Sequence, residues 1–70
     1  MSIVQLFPAN LKRARLAKHL SQEALAAKAK LSTSYISMLE RGQRSPPLDT
    51  LEELAKALAV TPTSLLSKAA

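Results

Sequence analysis

The stretch Ser21-Gln22-Glu23-Ala24-Leu25-Ala26-Ala27-Lys28-Ala29-Lys30-Leu31-Ser32-Thr33-Ser34-Tyr35-Ile36-Ser37-Met38-Leu39-Glu40-Arg41-Gly42 decides the fold. Ser21 is a natural N-cap, because its hydroxyl can accept from the orphan amides of a first helical turn, and Glu23 places an acid beside the positive end of the helix dipole. A short helix is therefore expected from Gln22 to Lys28 or Ala29. Leu31 interrupts it, Ser32 caps again, and a second short helix runs to about Arg41. There Gly42, the only glycine of the chain, suits the left-handed position just past a helix end. Projected at about 100° per residue, this second helix turns Thr33, Ser34, Ser37, Met38 and Arg41 to one side and Tyr35, Ile36, Leu39 and Glu40 to the other. The first side is short, polar and free of acids.

Outward from this centre the helical period continues. Phe7, Leu11 and Ala14 fall at i, i+4 and i+7, which predicts a helix from Pro8 to His19 with the proline in its opening turn, preceded by an apolar arm over residues 1–6. On the other side, Gln43-Arg44-Ser45-Pro46-Pro47 cannot be helical in its interior and reads as the one extended loop. Leu48, Leu51, Leu54, Ala55 and Leu58 restore the period for a fourth helix, and Thr61-Pro62 starts a final short one carrying Leu65 and Leu66. No stretch alternates as a strand. The expectation is an all-α, five-helix bundle in one domain over residues 7–70.

Length and composition agree. Seventy residues hold one small core and exclude a doubly wound sheet or a barrel. With no Cys, neither a disulfide nor a thiolate metal site is available, and His19 is the single histidine, so neither a metal nor a cofactor is expected. The serines have no His and Asp around them in any triad order, so nothing supports an enzyme. At 47% hydrophobic with one Gly, the chain is too apolar for a disordered basic tail. The opening apolar stretch lacks a basic leader and meets Pro8 too early for a secretory signal or a membrane span, which points to the cytoplasm.

Ten Lys and Arg against five acids give a net charge of +5, which calls for a polyanionic partner. The balance is uneven: up to Leu48 eight basic residues stand against two acids, whereas from Asp49 onward two lysines meet three acids. The basic half is the half with the two short helices. Two helices joined by a tight turn, basic surroundings and an acid-free polar face together make the arrangement by which a helix-turn-helix enters the major groove of double-stranded DNA. Thr33, Ser34, Ser37 and Met38 are then the candidates for base contacts. Their short side chains carry less base information than Arg, Asn or Gln, which leaves part of the discrimination to DNA shape. Tyr35 reads as part core and part phosphate contact through its hydroxyl.

These same residues carry a family resemblance. Leu20 to Ala26, Leu31 to Gly42 and Leu48 to Leu58 together resemble the phage Cro/repressor-type helix-turn-helix family of transcriptional regulators, which includes restriction-modification controller proteins; the likeness covers about Phe7 to Leu66. It implies a lambda-repressor-like DNA-binding domain with its motif at about residues 21–41. It also implies phosphate contacts from Gln22 and Ser21 at the start of the motif and from Arg41, Gln43, Arg44 and Ser45 after the recognition helix. Ala26 would be small to admit that helix and Ile36 would anchor it, while Arg15 would pair with Glu40. Lys30 and Pro47 depart from the pattern, standing where a turn Gly and a capping Ser or Thr are usual, and His19 stands where Gly is frequent. The expected role is a sequence-specific regulator acting as a homodimer on a palindrome, its copies meeting through Val60, Leu65 and Leu66 with help from the apolar arm. The competing reading is a protein-interaction module, an antitoxin or anti-repressor built on the same fold.

Overall fold

The computed structural model describes residues 2–68. Four α-helices, α1 (Ile3–Ala17), α2 (Gln22–Ala29), α3 (Thr33–Glu40) and α4 (Leu48–Leu58), are followed by a 3₁₀ turn, Pro62–Leu65. No strand occurs among the described residues. The expected fifth α-helix is thus a single 3₁₀ turn. Its hydroxyls take the carbonyls an α-helix would need: Ser64 Oγ donates to the Thr61 carbonyl at 2.6 Å and Ser67 Oγ to that of Thr63 at 2.6 Å.

The start of α1 also differs from expectation. Residues 3–6 are its first turn rather than a separate arm, and Pro8 lies inside the helix. Ser2 is the N-cap, and its amide donates to Gln5 Oε1 at 3.1 Å, one half of a capping box. Pro8 removes only the bond its amide would have given to the Val4 carbonyl, at an exposed position where solvent can replace it. Met1, at the tip of the expected arm, lies outside the described residues. The bounds of α2, α3 and α4 follow the sequence reading, with Ser21 Oγ accepting from Ala24 N–H at 2.9 Å and Ser32 Oγ from Tyr35 N–H at 3.0 Å. Pro47 caps α4 without a side-chain acceptor; the Asp49 carboxylate takes the Thr50 amide instead, at 2.8 Å.

All four α-helices end the same way. Just past each, one residue turns left-handed, His19 (φ 58°), Lys30 (φ 59°), Gly42 (φ 74°) and Ala59 (φ 56°), and the next amide reaches back five residues. Leu20 N–H donates to the Arg15 carbonyl, Leu31 to Ala26, Gln43 to Met38 and Val60 to Ala55, at 2.8–3.1 Å. Only one of these closures has the glycine that makes it cheap. Lys30→Gly should therefore stabilise the protein by about 1 kcal/mol and raise its Tm by several degrees. A thermal melt at equal concentration checks this, and a lower Tm would contradict it.

The core is drawn from every element: Phe7 and Leu11 of α1, Leu25, Ala26 and Ala29 of α2, Ile36 and Leu39 of α3, Leu51, Leu54, Ala55 and Leu58 of α4, and Leu65 of the 3₁₀ turn. α2 packs on α3 and α4, α1 packs on α3, and the 3₁₀ turn closes over α1 and α4. Ala26 is small where α2 packs on α3, and Ala29 lies on the side of α2 toward α4, beside Asp49, Thr50, Glu52 and Glu53. This packing fixes α3 by its apolar side and leaves the other side outermost.

Candidate nucleic-acid interface

The outward side of α3 forms one wall of an open cleft lined by Gln22, Thr33, Ser34, Ser37, Met38, Arg41 and Gln43. All four residues expected to meet bases lie here, together with three of those expected to meet phosphates. Thr33 and Ser34 are exposed at the start of α3, while Ser37 and Met38 are half-buried deeper in the cleft. Ser21 is exposed at the cap of α2, where its oxygen accepts from the helix and its O–H is left to donate outward. Tyr35 is half-buried against the core and is not part of the cleft. Arg44 and Ser45 are exposed but lie beyond the cleft, and Ser45 lines an apolar pocket elsewhere.

Behind the cleft sits the ion pair. Arg15 Nε donates to Glu40 Oε2 at 2.6 Å and Nη2 to Oε1 at 3.1 Å, with the side chains 9% and 4% exposed. Its third donor, Nη1, is taken by the Leu20 carbonyl at 2.8 Å. Gln22 adds a fourth contact, Nε2 to Glu40 Oε1 at 3.1 Å. The first residue of α2, the last of α3, the turn before α2 and the inner face of α1 thus meet at one ion pair. Glu40 is the only acid on α3, and being neutralised here it adds no repulsion toward a polyanion. The Gln22 amide has two N–H groups and Glu40 takes one, so the same side chain can hold the clamp and still donate to a phosphate.

Two features escaped the sequence reading. Asn10 is 7% exposed, and its Nδ2 donates to the carbonyls of Leu65 at 3.1 Å and Ser67 at 2.7 Å, while Oδ1 accepts from Arg13 Nη1 at 3.0 Å. The available signal was its register, three residues after Phe7 on the core-facing side of α1. The other concerns Leu65, expected at a surface between copies, which is 1% exposed and packed within its own core; a side chain so placed has no face to offer. Val60 and Leu66 are half-buried at the edge of that core.

Comparison with known proteins fits this geometry. Residues 11–65 match the model of the helix-turn-helix family. An HTH-type transcriptional regulator of Sinorhizobium fredii, y4dJ, is 42% identical over 67 residues, spanning 96% of this chain and 87% of its own length. The restriction-modification controller protein C.AhdI from Aeromonas hydrophila superposes with a TM-score of 0.85 at 42% identity, over 89% of this chain and 94% of that one. SinR, a master regulator for biofilm formation solved in complex with DNA, superposes with a TM-score of 0.83 at 32% identity, over 87% of this chain and 98% of its own. The chain belongs to the helix-turn-helix family of transcriptional regulators.

Proposed function

We propose that the protein regulates transcription from the cytoplasm as a non-catalytic homodimer on a palindromic operator, with α3 of each copy in the major groove of one half-site. The observation that carries this reading is the cleft that gathers Thr33, Ser34, Ser37 and Met38 beside Gln22, Arg41 and Gln43. A single short helix meets only a few base pairs, and two copies about 34 Å apart supply the rest of the specificity. The solved SinR complex with DNA supports the same use of the fold. Short hydroxyls can donate or accept at base edges, and the Thr33 methyl or the Met38 thioether can pack on a thymine methyl.

Two predictions arise here. Ser34→Gln should draw the preferred half-site toward adenine and Thr33→Arg toward guanine, each by about 1–3 kcal/mol of discrimination, without unfolding the protein. Selection of sites from a random duplex pool by wild type and variants checks this; a consensus unmoved by substitutions at all four positions would mean that another surface reads the DNA. Arg41→Ala or Arg44→Ala should weaken binding to specific and random duplexes alike, and flatten the plot of log affinity against log salt by about one unit or less. A change in base preference with nonspecific affinity untouched would contradict the phosphate assignment.

A further inference from the structure

A second concavity adjoins the reading cleft. It lies between α1 and the end of α3, where Pro8, Ala9 and Lys12 face Glu40, Arg41 and Gly42. Arg41 lines both hollows, so the surface that holds Thr33 and Ser37 runs on past the end of α3 to α1. The two segments touch here: a Cβ added at Gly42 would lie 3.5 Å from Pro8 Cγ. Lys12 follows Pro8 by four residues and therefore stands one turn along on the same face of α1.

The charges of this concavity are unbalanced. Lys12 and Arg41 are both exposed, and neither has a carboxylate partner among the described residues, whose ion pairs are Arg15 with Glu40 and Lys56 with Glu53. Glu40 is the one acid in the lining, but Arg15 and Gln22 take its oxygens and its side chain is 4% exposed, so it is not free to pair with either cation. Two cations from different segments thus flank one hollow with no anion between them, and their mutual repulsion is relieved when an anion enters.

We infer that Lys12 is a further DNA contact, holding with Arg41 one backbone phosphate at the margin of the reading cleft; the inference rests on the reading of α3 as the helix in the major groove. Continuity through Arg41 argues for this occupant, because a duplex seated on α3 carries its backbone out of the cleft over Arg41 and toward α1. None of the residues assigned above to phosphate lies on α1, so Lys12 brings a further helix into the grip on the backbone. A lysine meets phosphate as a point charge on a flexible stem and carries no base information. Its contribution is therefore the same on any sequence.

Lys12→Gln tests the inference. The side chain is exposed and makes no hydrogen bond or ion pair among the described residues, so the fold is kept and an unchanged melt verifies it. Lys56→Gln removes the same charge from an exposed position on α4 and is the control. At low salt Lys12→Gln should lose about fivefold in affinity for a duplex selected from a random pool and for random duplexes alike, and its plot of log affinity against log salt should flatten by about one unit. Lys56→Gln should leave both nearly unchanged. Replacing the duplex phosphates one at a time by uncharged methylphosphonate should find one position where the loss is several-fold for wild type and smaller for Lys12→Gln, with every other position costing the two proteins alike. A loss no larger than that of Lys56→Gln, or one that no phosphate position shares, would overturn the contact while leaving α3 as the reading helix. A wild type that binds no duplex would overturn the DNA reading and the contact with it.

Discussion

Replacing Arg15 with alanine is expected to cost about 3–5 kcal/mol, although Arg15 need never touch DNA. The substitution leaves the Glu40 carboxylate nearly buried with only the Gln22 amide as partner, and breaking a buried pair from one side exposes the full desolvation cost of the remaining charge. It also leaves the Leu20 carbonyl without its donor. A 70-residue domain has a total stability of about 4–10 kcal/mol, so the variant should be marginal or unfolded at 37 °C and lose DNA binding with its fold. Changing both partners to apolar residues of similar size, Arg15→Met with Glu40→Leu, should recover more stability than either single change, because no unpaired charge is then buried. Urea melts of wild type, Arg15→Met, Glu40→Leu and the double variant read the cycle, with Arg15→Ala melted beside them. Equal stability of wild type and Arg15→Ala would show that the pair holds nothing together.

Asn10→Ala is expected to have the next largest effect, a loss of about 2–3 kcal/mol. It removes the donor to two carbonyls at the C-terminal end of the chain, that of Leu65 being buried, and it deprives Arg13 of its acceptor. Since Asn10 joins α1 to a segment 55 residues away, its loss should free the 3₁₀ turn before it loosens α2 and α3. Amide exchange in the folded variant should therefore quicken at Ser64, Leu65 and Leu66 and change little at Ile36 or Leu39. Uniform quickening across the chain, or none, would contradict this division.

The contrast between these two side chains shows what the sequence made legible. Arg15 and Glu40 stand at positions the family resemblance pairs, and projection of α3 had already put Glu40 beside Ile36 and Leu39. The caps Ser21 and Ser32 and the stop at Gly42 carry their signal in single residues, so the bounds of α2 and α3 could be read locally. Asn10 could not be read so, because its partners are backbone carbonyls that only the folded chain brings near. Pro8 misled for a related reason: its preference for a first turn is a local rule, while Ser2 and Gln5 extend the helix beyond it at the loss of one exposed hydrogen bond. Ala59 turns left-handed without announcing it, since the motif that closes α4 is imposed by the packing of Val60 and Leu58 rather than by a glycine. Leu65 and Leu66 are adjacent and equally apolar, and only the 3₁₀ geometry decides which one enters the core.

Leu25, Ala26, Ile36 and Leu39 hold α3 by one side, and the Arg15, Glu40 and Gln22 cluster fixes its far end, so that Thr33, Ser34, Ser37 and Met38 are presented as a rigid surface. The most direct test is an amide NMR titration of the protein with a duplex selected from a random pool. The largest shift changes should fall on Thr33, Ser34, Ser37, Met38, Arg41 and Gln43, with Glu52 and Glu53 on the outer side of α4 nearly silent. Large changes along α4 or the outer face of α1, with α3 unmoved, would contradict the assignment of α3 as the helix that reads DNA.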